Sequence, residues 1–205
     1  MRPVLIFFCI HYLFSLCTCD FTPLVLHGMG ARIEDFSYMG FLAIKYKNDD
    51  PYSHICGSSI LTKTTVLTAG HCLADCNKDS SIFVYVGDAL KLSGTKMEIT
   101  AYMVHRGYDD EKLNNDIAIA RVKYPMPFSS KVSKITLMKK PPYYEEAVVA
   151  GWGLIDEDTP RYTKLLQYTK QQALTVSECI KVFYNEGSWG AGTFCAGNTK
   201  SVASR

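Results

Sequence analysis

No sign of charge dominates this 205-residue chain. Its 22 basic and 20 acidic side chains leave a formal net charge of +2 and are mixed along the length rather than gathered in a block. A nucleic acid or an anionic membrane surface calls for a concentrated basic face, so neither is supported as a partner. Past the first nineteen residues no apolar run is long enough to span a bilayer. No internal repeat and no low-complexity tract interrupts the chain. A His-Glu-x-x-His motif is missing, and His71, Cys72 and Cys76 have no second pair of ligands at zinc-site spacing, so the sequence implies no metal and no cofactor.

What remains is an ordinary globular balance, 47% hydrophobic, 20% charged and 12% aromatic, which can build a sizeable core. The first nineteen residues differ. Arg2 is followed by an apolar run from Val4 to Leu16, broken only by His11 and Tyr12, and then by Ser15-Leu16-Cys17-Thr18-Cys19. That layout reads as a signal peptide, with small residues at −3 and −1 whether cleavage follows Cys17 or Cys19. The alternative is a retained anchor, for which the apolar run is short. Three of the eight cysteines (Cys9, Cys17, Cys19) fall in this leader, leaving Cys56, Cys72, Cys76, Cys179 and Cys195 for an oxidising compartment. An odd number leaves a free thiol, an intermolecular bridge, or a partner outside these residues.

Short strands separated by turn residues follow: Phe41 to Lys47, His54 to Leu61, Thr65 to Thr68, Ile82 to Val86, Glu98 to His105, Ile117 to Val122, Ala147 to Ala150 and Leu165 to Ala173. Asn48-Asp49-Asp50-Pro51, Ser93-Gly94 and Pro141-Pro142 punctuate them. This spacing indicates an all-β antiparallel sandwich or barrel. One helix is expected after Thr175-Val176-Ser177-Glu178, which has capping-box spacing. Residues 124–142 hold four prolines and one short apolar run, Ile135-Thr136-Leu137-Met138, and read as a crossover between two β-rich halves.

Two runs carry chemistry. Leu67-Thr68-Ala69-Gly70-His71-Cys72 ends an apolar strand on an imidazole, with small residues before it to let the backbone turn and a cysteine after it to anchor the position. A lone histidine is more often a satisfied surface or core group. Asn115-Asp116-Ile117-Ala118-Ile119-Ala120-Arg121 feeds an acid straight into an apolar strand. A carboxylate is costly to bury there without a partner, and a histidine that gains a proton during reaction is one. Asp116 could equally cap the turn after Asn114-Asn115.

Taken together these residues resemble the chymotrypsin and trypsin family of serine proteases, whose catalytic order is His, Asp, Ser. His71 and Asp116 stand 45 positions apart, as in that family. Cys56-Gly57-Ser58-Ser59-Ile60-Leu61, Val104-His105-Arg106-Gly107-Tyr108, Gly151-Trp152-Gly153 and Phe194-Cys195-Ala196-Gly197 are similar to its flanking segments, in order along nearly all of the mature chain. The resemblance implies two packed antiparallel β-barrels with a cleft between them, the second incomplete here. The expected organisation is a signal peptide at 1–19, a short pro-segment or leader remainder at 20–24, a first barrel at 25–124, a crossover at 125–142 and an incomplete second barrel at 143–205. It further implies disulfides Cys56–Cys72 and Cys179–Cys195, leaving Cys76 unassigned. A cysteine nucleophile is then disfavoured, because four of the five mature cysteines are paired and Cys76 follows His71 too closely to face it.

The implied activity is endopeptide hydrolysis through an acyl-enzyme in a secreted protein. His71 would act as base and then acid, Asp116 would orient it, and no cofactor would be used. Protein or peptide substrates and protein protease inhibitors are the expected partners, with no membrane association after the signal peptide is cleaved. The family's Gly-Asp-Ser-Gly-Gly run is not among these residues, so this polypeptide itself is expected to lack turnover. At the family's activation site stands Val25-Leu26-His27-Gly28 preceded by Leu24, which a trypsin-like activator would not cut. That departure supports an alternative, a secreted inactive homologue that binds or regulates. If the family's next cysteine followed Arg205, Ser204 would lie at the pocket floor and favour apolar or aromatic side chains.

Overall fold

Alternation along the strands of the first half sorts their side chains to two faces. The computed structural model describes residues 28–46, 52, 54–112, 114–140, 142–154, 162–183 and 195–197. In β5 (Ser81–Val86) Ile82, Val84 and Val86 point inward, and in β7 (Ala118–Val122) Ala118, Ala120 and Val122 do the same. With β2 (Met39–Lys45), β3 (His54–Ile60), β4 (Thr65–Thr68) and β6 (Thr95–Val104) they close an antiparallel barrel in the order β2-β3-β4-β7-β6-β5. Closure leaves no unpaired strand edge in that barrel. Its interior packs Leu42, Ile44, Ile60, Val66, Leu73 and Val84 with no exposed surface. Gly40 lies where a Cβ would come within 2.6 Å of Ser58 Oγ and 2.7 Å of Val84 Cγ2, so no larger residue fits without displacing them.

β2 is buried on both faces. Leu42 and Ile44 enter the barrel, while Met39, Phe41 and Ala43 turn outward into a second cluster with Ile33, Phe36, Trp152 and Leu166. Trp152 ties the halves together. Its ring meets Phe41 edge-on at 5.4 Å, and its Nε1–H donates to Ala89 O at 2.7 Å. Leu166 N also donates to Ala89 O, and Ala31 N to Leu166 O.

Among the described residues the second half forms an open sheet. β9 (Gln167–Leu174) pairs with β8 (Glu146–Gly151) along one edge, while β1 (Met29–Gly30) and β10 (Cys195–Gly197) meet opposite ends of β9. The segment at 29–30 precedes the barrel in sequence yet belongs to this sheet. Between the halves, residues 124–140 run along the barrel rather than away from it: Met126 N donates to Lys63 O and Ile135 N to Ile60 O. Met126 and Val132 are buried in the barrel core, whereas Leu137 and Met138 of the apolar run are exposed.

The helix α1 (Val176–Phe183) begins where its capping residues place it. Thr175 N–H and Oγ1–H both donate to Glu178 Oε2, at 2.9 and 2.8 Å. Only the carboxylate half of the capping box is made, since the Glu178 backbone N–H donates to Thr175 O at 3.0 Å rather than to the threonine hydroxyl. Those hydrogen bonds, the backbone one first, hold the Glu178 carboxyl below its usual range.

Candidate active site

β4 ends at Thr68, whose hydroxyl donates to Gly57 O at 2.8 Å and ties the strand end to β3. The chain then winds into a turn in which Leu73 N and Ala74 N both donate to Gly70 O. His71 opens that turn, and the next residue, Cys72, is bonded to Cys56 of β3. Asp116 arrives from the other side. Asn115, just before it, adopts a left-handed conformation (φ 54°), its side-chain amide donates to Gly107 O at 2.8 Å, and Ile117 N donates to Asn115 O at 2.7 Å. Asparagine tolerates that backbone better than most side chains do. The tight bend delivers the carboxylate to the start of β7.

The two side chains meet at two points. His71 Nδ1 lies 2.8 Å from Asp116 Oδ2, and the His71 backbone N–H donates to Asp116 Oδ1 at 2.7 Å. One carboxylate thus fixes both the ring and the peptide that carries it. The pair is partly buried, with side-chain exposures of 33% for His71 and 24% for Asp116. Proton on Nδ1 and lone pair on Nε2 is the tautomer this contact selects, which readies Nε2 to accept a proton.

Gly70 opens the expected tight turn and serves a second purpose beside it. A Cβ there would sit 3.1 Å from Asp116 Oδ1, 3.1 Å from the Tyr108 ring and 3.2 Å from Ile117 N. The glycine makes room for the carboxylate. Tyr108 roofs this spot, and burial, followed by the neighbouring Asp110, pushes its hydroxyl well above the ordinary tyrosine range.

The turn-capping alternative for Asp116 gives way to the His71 contact, since both carboxylate oxygens are engaged there. Cys56–Cys72 and Cys179–Cys195 are both disulfides, the second joining α1 to β10. Cys76 is free and half-buried, and burial, with Asp75 adding to it, pushes its thiol up to about 11. Ser204, the leader and the Val25-Leu26-His27 stretch lie outside the described residues. Among the described residues no helix is long and apolar enough to cross a membrane.

Sequence reasoning did not single out His54. It begins β3 with its ring perpendicular to that of His71, centroids 6.4 Å apart, and its Nε2 lies 3.6 Å from Cys56 Sγ. The signal was the His-x-Cys spacing in His54-Ile55-Cys56, legible only once β3 and β4 are paired.

Comparison with known proteins agrees with this fold. A family model described as Trypsin matches residues 25–204. Trypsin delta of Drosophila erecta is 33% identical over 138 residues, covering 66% of this chain and 54% of that protein. Hypodermin-A of Hypoderma lineatum is 30% identical over 131 residues, covering 63% of this chain and 48% of its own. The chain thus spans about half the length of the curated relatives it matches. Among solved structures, the scabies mite inactivated protease paralogue S-D1 superposes with a TM-score of 0.75 at 20% identity, covering 87% of this chain and 76% of that one. A structure titled HL collagenase gives 0.72 at 24% identity, over 84% and 73%. These two likenesses are of fold.

Proposed function

The chain belongs to the trypsin family, and from that premise we propose that it is the base-bearing part of a secreted serine endopeptidase acting on protein substrates. The observation that carries the reading is the two-point contact of Asp116 with His71, through Nδ1 and through the backbone N–H. Asp116 holds the ring and stabilises the imidazolium that forms when Nε2 takes the nucleophile's proton. His71 then returns that proton to the leaving amine.

The family's Gly-Asp-Ser-Gly-Gly run, which would carry the nucleophile and the N–H groups of its oxyanion hole, does not occur in these 205 residues. On this reading the polypeptide by itself turns over no substrate. A fluorophosphonate probe, which reacts with an activated serine, should leave it unlabelled; stoichiometric labelling abolished by His71→Ala would overturn this part of the reading. A secreted homologue without turnover is the second reading, favoured by Leu24 ahead of Val25 where a trypsin-like activator would need a basic residue. The residue that follows in the transcript at the nucleophile position separates the two. Serine within Gly-Asp-Ser-Gly-Gly supports the peptidase, and another residue supports the binding protein.

A further inference from the structure

We infer that reduction of the Cys56–Cys72 disulfide creates a tetrahedral zinc site from His54 Nε2, Cys56 Sγ, His71 Nε2 and Cys72 Sγ. These four atoms all lie within 4.8 Å of one another. His54 Nε2 is 3.6 Å from Cys56 Sγ, and His71 Nε2 is 3.5 Å from Cys72 Sγ. In a zinc tetrahedron with ordinary Zn–N and Zn–S bonds, neighbouring ligand atoms stand about 3.3–3.8 Å apart, so both close pairs already have the required spacing.

The donor set suits the metal. Two thiolates and two imidazoles are a common structural zinc set, and two thiolates balance the charge of Zn²⁺. The two cysteines are buried while both histidines are partly exposed, which gives a shielded floor and an entry side. One imidazole is oriented as zinc-bound imidazoles are, because the far nitrogen of the His71 ring, Nδ1, already meets a carboxylate, Asp116 Oδ2, at 2.8 Å. The frame has supports besides the sulfur bridge. Ser59 and Ile60 of β3 pair with Leu67 and Val66 of β4, within a closed barrel, so the strands that carry or lead to these ligands stay adjacent when the bridge opens.

While the bridge is intact, both sulfurs are spent on each other. A dithiol reductant breaks that S–S bond by exchange, becomes a cyclic disulfide itself, and leaves two cysteine thiols. Zinc then displaces their two protons and takes the two neutral imidazole nitrogens. The site requires neither a nucleophilic serine nor turnover, but it engages His71 Nε2, the atom the proposed hydrolysis uses as base, so bound zinc and a working base exclude each other.

The test uses the full chain, reduced with a dithiol, desalted without oxygen and titrated with Co²⁺ as a spectroscopic stand-in for Zn²⁺. The expected result is a thiolate-to-cobalt charge-transfer band with intense tetrahedral d–d absorption, bleached by one equivalent of Zn²⁺. His54→Ala and His71→Ala should each weaken Co²⁺ binding by about tenfold or more, while Cys76→Ser leaves it unchanged and the oxidised chain shows no such bands. The inference is overturned if the reduced chain shows no tetrahedral band, or if both histidine variants bind as the parent does, which would place the metal on other thiols. It is equally overturned if far-ultraviolet dichroism shows the reduced chain unfolded and Co²⁺ does not restore it.

Discussion

The closed barrel and the open sheet are built from similarly short strands, yet they hold their side chains differently. In β5 every second residue is buried, whereas in β8 Val148 and Val149 are 45% and 36% exposed. Every strand of the barrel has neighbours on both sides, while among the described residues only β9 of the second sheet does. The candidate site follows this division. His71, Asp116, Gly70, Asn115 and the Cys56–Cys72 bridge all belong to the barrel and its loops, so the acid–base pair is assembled without a residue from the second half. Preorganisation of that kind comes from a frame fixed on all sides.

The largest effect should come from the pair itself. In a chain that carries a nucleophile, Asp116→Asn should lower kcat on the order of 10⁴-fold, because the imidazole loses its preferred tautomer. A near-normal kcat would remove the barrel's claim to the chemistry. Next in size is packing. Leu42→Ala in the barrel should cost about 2–5 kcal/mol by urea denaturation, whereas Val148→Ala on the open sheet should stay within about 0.5 kcal/mol. Equal losses would erase the contrast between the two regions.

Gly70→Ala sharpens the same comparison at the level of positioning. The added methyl presses on Asp116 Oδ1 and the Ile117 amide, so kcat should fall by about 10- to 100-fold while KM changes little. Loss confined to KM would mean that the carboxylate has not moved. Cys76 reports how tightly the barrel's turn is closed. Its alkylation by iodoacetamide should keep rising past the ordinary thiol range and level only near pH 11, as burial demands. By linkage the unfolded chain ionises first, so native stability declines as pH rises through that window. A profile that levels where ordinary thiols do would show the turn to be open.

The smallest effect belongs to the second half. Glu178 has its carboxyl held below the usual range by Thr175, so its stabilisation is present above the unfolded carboxyl range and is lost as pH falls through the folded value. Glu178→Gln should lower the melting temperature slightly at neutral pH and not at all in strong acid. A difference that persists in acid would assign the effect to something other than charge.

Much of the barrel was legible because its strands alternate or end on turn residues. Thr65–Thr68 coincides with its expected bounds, and the other barrel strands shift by one to three residues at one end or both. β1 and β10 were not expected, since two and three residues carry no period and gain their structure only from β9. In Ile117-Ala118-Ile119-Ala120 the apolar run gave no hint that the alanines would face the core and the isoleucines outward, beside Met103 and Val104. A barrel interior crowded by larger residues on other strands admits only the smaller ones there. At the site, His71 and Asp116 were readable from motif and separation, whereas the left-handed Asn115, the clearance at Gly70 and the approach of His54 depend on contacts between distant segments.

The central claim is that the barrel by itself prearranges His71 with Nδ1 protonated toward Asp116. Nitrogen-15 NMR of the histidine rings in the 205-residue chain, at alkaline pH and with the disulfides intact, tests it most directly. The account predicts a His71 ring protonated at Nδ1, with a strongly downfield Hδ1 resonance that disappears in Asp116→Ala. A His71 ring protonated mainly at Nε2, or one indifferent to Asp116→Ala, would contradict it.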